Sequence, residues 1–164
     1  MAWVGSTVTA QVVTLLSAPQ GLNACVSTLA QAENITLPPA GQNQILAQNV
    51  SIELAERSTD VQYPAVNVYC EKIVNQLKEK FRNFSGKGIM AIEVRVSQDR
   101  LEGIEDQLQV YLDAVTQVLD QNRGDWGEGM YYAGCYEAAL GPVKHGGRNF
   151  IQVGKVTFEV GVSD

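Results

Sequence analysis

Between Gln98 and Asn122 one pattern repeats: Leu101, Ile104, Leu108, Leu112, Val115 and Leu119 are apolar at steps of three or four. That period draws a single apolar stripe along a helix, and Glu105, Asp106, Asp113 and Gln117 fall on the opposite face. Asp99 stands where an N-cap belongs, with Glu102 three residues on in capping-box position. Arg123-Gly124 supplies a cation and a glycine at the other end. The spacing predicts a helix over 98–122. A second helical pattern runs from Ser6 to about Glu33, through Val8, Val12, Leu15 and Leu16, then Leu22, Val26, Leu29 and Ala30. Pro19 and Gly21 interrupt it, which predicts two helices or one kinked helix.

Elsewhere the period drops to two. "NVSIELAE" alternates Val50, Ile52 and Leu54 and reads as a strand. "VQYPAVNVYCEKIV" is β-branched and aromatic enough for another, with Pro64 at its start or on an edge. "GIMAIEVRVSQ" sets Ile92, Val94 and Val96 against Ala91, Glu93 and Arg95, the pattern of a half-buried strand. Before it, "NQLKEKFRNFSGKG" is a basic, turn-rich connector. After the loop "GDWGEG", "MYYAGCYEAAL" and "NFIQVGKVTFEVGV" read as two strands joined in a hairpin by "GPVKHGGRNF".

The element order is α, β, β, β, α, β, β. It predicts one α+β domain over 1–164, mainly an antiparallel sheet of about five strands with the long helix packed on it and a C-terminal β-hairpin. Residues 1–45 form an extra N-terminal helical segment and linker, through the loop "NITLPPAGQNQI", and 46–164 form the sheet-and-helix body.

Charge narrows the partners. The chain carries −6, whereas a general binder of nucleic acid or anionic membrane needs a basic face. The cations of Lys78 to Lys87 and of Lys144/Arg148 read as solvated patches. The N-terminus lacks a basic leader and no run of 18 apolar residues occurs, so neither a signal peptide nor a membrane span is expected, and the cytosol is the default compartment.

Candidate chemistry is sparse. Cys25, Cys70 and Cys135 are scattered, without metal-ligand spacing or a disulfide framework. "GKG" at 86–88 lacks the spacing of a phosphate loop. Glu102, Glu105 and Asp106 suit the positive end of a helix dipole better than a metal. The single histidine, His145, has two glycines and two cations around it. A histidine base needs a nucleophile and an orienting carboxylate, and no GxSxG elbow is present. A hairpin turn with Gly146-Gly147 at positive φ is the stronger reading. Trp126 is balanced between an interface anchor and a side chain folded onto its own core. No catalytic, cofactor or metal set assembles.

Taken together, "YPAVNVYCEKIVNQLKEKFRNFSGKGIMAIEVRVSQDRLEGIEDQLQVYLDAVTQVLD" and "GDWGEGMYYAGCYEAALGPVKHGGRNFIQVGKVTFEVGV" resemble the tail-terminator, or tail-completion, proteins of long-tailed phages and prophages. The likeness covers roughly 61–162, in the strand-helix-hairpin order and in phrases such as "SQDRLEG" and "VKHGGRNF". It implies a structural virion protein: an α+β subunit of a homo-hexameric ring that caps the tail tube and joins it to the head and neck. The implied partners are copies of itself, the tail tube protein, a head-completion or neck protein, and DNA sliding through the lumen without specific binding. The implied place is the neck of the virion, after assembly in the host cytoplasm, with no membrane, cofactor or catalytic residue. Alternatives are another neck or tail component (a head-completion or tube protein) and, behind these, a small hydrolase using His145. On the ring reading Trp126, Lys144, His145 and Arg148 are the interface candidates.

Overall fold

The structure is a computed structural model that describes residues 3–58 and 60–164. The chain opens with two helices, α1 (Val4–Ser17) and α2 (Leu22–Ala32). The break falls at Pro19, as the interrupted pattern predicts. Val4, Val8, Val12 and Leu16 recur at one-turn spacing and are buried, as are Leu22, Cys25, Val26 and Ala30 of α2. They pack into the chain's own core, α1 against the second strand of the sheet and α2 against the long helix. No single helix is long and apolar enough to cross a membrane, and α1 with α2 reach that length only as a pair bent by 44°.

A short 3-10 turn (Gln42–Gln44) leads into β1 (Ile45–Leu46). The stretch read as the first strand is instead a helix, α3 (Ile52–Arg57). The Ser51 side chain accepts the Leu54 amide at 3.4 Å, Glu53 sits in the first turn and Arg57 in the last, so cap and charges all favour a helix. Three alternating apolar residues are too short a signal to outweigh them.

β2 (Ala65–Asn75) follows a cis Tyr63-Pro64 bond and pairs antiparallel with β3 (Ser85–Gln98). Met90, Ile92, Val94 and Val96 of β3 face the core. The opposite side is not open, because Ala91 and Arg95 are also buried there; β3 is a central strand rather than a half-buried one.

The long helix, α4 (Ile104–Gln121), begins later than the sequence suggests. The Gln98 side-chain amide donates to the carbonyls of Arg100 and Glu102 at 2.6 and 2.7 Å, folding 99–103 into a turn. Gly103, at φ 80°, then takes the N-cap position in place of Asp99, so the Asp99/Glu102 capping box does not form and Leu101 is exposed. From Ile104 on the predicted stripe holds: Leu108, Leu112, Val115 and Leu119 are all buried.

"GDWGEG" is not a plain loop. β4 (Gly124–Gly127) and β5 (Met130–Tyr132) form a tight hairpin through Glu128-Gly129, both at positive φ as a primed turn requires. "MYYAGCYEAAL" then splits around Gly134, at φ 100°, into β5 and β6 (Tyr136–Leu140). β7 (Lys144–Gly146) precedes the last strand, β8 (Asn149–Ser163).

Together the strands make one mixed sheet of eight, in the order β1-β2-β3-β8-β5-β4, with β6 and β7 also on β8. β1 runs parallel to β2 and the other pairs are antiparallel. The α+β class stands, but the sheet is larger than the expected five strands and is mixed. β8 organises it: β3 pairs along one edge from Ser163 to Phe150, while β7, β6 and β5 share the other.

Candidate interaction surfaces

The hairpin that carries His145 is set by cross-strand register. Lys144 pairs with Ile151, His145 with Phe150 and Gly146 with Asn149, which leaves Gly147-Arg148 as the two-residue turn. Gly147 takes the left-handed conformation, at φ 74°, so the turn lies one residue later than the expected Gly146-Gly147. Its root is fixed where the Gln152 amide donates to the Gly141 carbonyl at 2.9 Å and the Gly141 amide to the Val153 carbonyl at 2.8 Å. Lys144, His145 and Arg148 are all exposed at this tip. The His145 ring meets Phe150 edge-on at 5.4 Å, and among the described residues it makes no hydrogen bond to a nucleophile or carboxylate. That is the geometry of a turn.

Trp126 has a home in its own chain. Its indole N–H donates to the Asn122 carbonyl at 2.6 Å, and its ring lies 5.5 Å from Tyr132, which in turn meets Phe158 edge-on at 5.5 Å. The half-buried ring therefore lids the end of α4, packed on its own chain.

The face of the sheet turned away from α4 carries a polar lattice. The Tyr69 hydroxyl donates to Glu93 at 2.7 Å, Arg95 bonds Glu93 at 3.0 Å and the Val50 carbonyl, Lys155 pairs with Glu71, and Lys87 pairs with Glu159 at 2.6 Å. Burial, then the hydrogen bond to Glu93, pushes the Tyr69 phenol well above its ordinary range. Each side chain is tied to another, and of these groups only the Arg95 Nε is buried without a partner among the described residues.

Burial raises the Cys25 and Cys70 thiols, which disfavours the nucleophilic thiolate. No group of three or more metal-ligating side chains occurs among the described residues. Gly86–Gly88 lies inside β3 and forms no phosphate loop. Glu105 and Asp106 occupy the first turn of α4, where the dipole favours them, while Glu102 lies outside the helix.

Other surfaces carry no such internal role. All of β6 is exposed, and its outer edge is unpaired among the described residues. β1 covers only Val66 and Asn67 on the outer edge of β2, and Lys72 and Ile73 beyond it are exposed. Leu54, aligned with Val50 and Ile52 by its alternation, is exposed on α3. Leu77 and Phe81 are exposed apolar side chains that periodicity did not single out. Their signal in the sequence is an apolar residue among polar and charged ones, in "NQLKEKFRN". No protein-family model matches the chain, and no curated protein matches it.

Proposed function

We propose that the chain is a structural virion protein, a tail terminator whose copies form a ring that caps the tail tube and joins it to the head and neck. The observation that carries this reading is β6, a strand exposed at every position and free along its outer edge among the described residues. An isolated protein seldom leaves such an edge open, because unpaired backbone groups invite another chain; a neighbouring subunit closes it. The exposed tip with Lys144, His145 and Arg148 adds a second surface without an internal task. A net charge of −6 suits a lumen through which DNA slides without sticking. On this reading the protein acts by assembly and not by catalysis.

The test is the mass of the purified protein in solution, by native mass spectrometry or light scattering. A hexamer is expected, and a monomer at every concentration overturns the reading. The same open edges suit a tube or head-completion protein. Labelled virions separate the alternatives: a terminator appears once, at the head-proximal end of the tail, whereas a tube protein appears in many stacked rings.

A further inference from the structure

The β2–β3 loop holds two apolar side chains out of the fold. Leu77 is 65 % exposed and Phe81 fully so, with left-handed φ values of 46° and 71°. That conformation is unfavourable for a bulky residue. The loop is braced all the same. Asn75 Oδ1 accepts from the Leu77 and Ser85 amides at 3.2 Å, the Asn83 amide donates to the Asp164 carbonyl at 2.8 Å, and Glu79 accepts from the Ser163 hydroxyl at 2.8 Å. A rigid loop that presents a phenyl ring to water gives its own core nothing. It has the form of an anchor.

The other end of the same sheet has a hole. A cavity of about 590 Å³ lies between β1, α3, the start of β2 and the end of β3. Leu46, Val50, Leu54 and Ala55 line its apolar part, polar side chains such as Gln48 and Asn67 line the rest, and Leu54 is 64 % exposed. Arg95 lines it too, 2 % exposed, with an Nε that has no hydrogen-bond partner. From Asn67 at the cavity to Asn75 at the foot of the loop, β2 spans about 26 Å at the usual rise per residue. Phe81 therefore cannot fill the cavity of its own chain. A second copy's Phe81 can.

Charge favours the same occupant. Residues 76–84 hold three cations and one anion, a net +2, so the rest of the chain carries −8 of the total −6. The loop is drawn to the body of another copy.

We propose that Phe81 of one copy seats in the Leu54-lined cavity of the next, with Leu77 of the same loop adding apolar surface to the contact. The contact joins one end of a subunit to the opposite end of its neighbour, and such head-to-tail contacts close into a ring when the rotation permits. It rests on the self-assembly reading and supplies one contact of that assembly.

The experiment replaces Phe81 with the photo-crosslinker p-benzoylphenylalanine in the full chain, irradiates it, and maps the linked peptides by mass spectrometry. Wild-type mass is measured alongside. Covalent dimers linked to residues 46–67 of the second chain are expected. Phe81→Ala and Leu54→Asp, both at exposed positions, should each weaken association by about tenfold or more while leaving the far-ultraviolet circular dichroism unchanged. Linkage to another surface, or unchanged association of both variants, overturns the contact even if the wild type is a hexamer. Linkage at 46–67 in a dimer or open chain keeps the contact and removes the ring. A cavity filled by a co-purifying small molecule, with no interchain product, overturns the proposal.

Discussion

Leu112 of α4 rests directly on Gly154 of β8: a Cβ built on that glycine lies 2.5 Å from Leu112 Cδ1. The register places Gly154 opposite Val94 on one side and Leu140 on the other, so it is the low point on which the helix settles. Gly154→Val must displace α4 or strain the Leu112 rotamer, at a cost of about 1–3 kcal/mol. In the same strand, Gly161→Ala meets only the Tyr131 carbonyl, at 3.6 Å, and should leave stability nearly unchanged. Thermal unfolding of the two variants checks this. Equal midpoints would show that the helix does not depend on the gap at Gly154.

Trp126 should report on folding more than on assembly. Trp126→Ala removes a half-buried ring packed on Tyr132 and strands the Asn122 carbonyl, so a loss of about 2–3 kcal/mol is expected in urea unfolding. Trp126→Phe keeps much of the packing and should lose less. If Trp126→Ala instead leaves stability intact while lowering the assembled mass, its main contact is with a neighbour.

The parts of the fold that were legible in the sequence are those with a long, uninterrupted period. The stripe from Ile104 to Leu119 and the alternation of β3 and β8 each extend over many residues, so packing and pattern agree. Short elements were not legible. α3 depends on the Ser51 cap, and the start of α4 depends on Gln98 tying down two carbonyls, contacts that the hydrophobic pattern does not encode. The β4–β5 hairpin was hidden because Glu128, which takes φ 52°, is not a usual turn residue at that position. The tip with His145 was readable because its glycines have few other uses. The Phe81 anchor was not, since nothing local distinguishes a phenylalanine held outward from one folded in.

Arg148 and Lys144 should affect assembly without affecting the fold. Both are exposed, and neither is part of an ion pair among the described residues. Arg148→Glu with Lys144→Glu changes the local charge by four units, enough to weaken a contact with an acidic neighbour by about tenfold or more. The hairpin itself should persist, because Gly147 and the backbone pairing set the turn. Native mass at several dilutions, with the thermal midpoint as control, gives the answer. An unchanged ring at high dilution would remove this tip from the interface.

Tyr132 offers a test of the core through its hydroxyl. The ring is fully buried between Trp126 and Phe158, and its hydroxyl has no hydrogen-bond partner among the described residues. Burial first, then the Asp120 carboxylate, pushes the phenol up to about 12. The folded chain thus holds this proton more tightly than the unfolded chain, where tyrosine titrates at ~10. Its contribution to stability is complete below pH ~10 and is lost as pH rises through about 12. Urea unfolding from pH ~8 to ~11.5 should show stability level at first and falling above pH ~10, with a shallower fall in Tyr132→Phe. Near neutral pH the same substitution removes a polar atom that is buried without a partner. It should therefore be neutral, or stabilising by up to about 1 kcal/mol. A loss of more than about 1 kcal/mol at neutral pH would mean that the hydroxyl is satisfied in the folded protein, and that the aromatic stack under Trp126 is also held by a hydrogen bond.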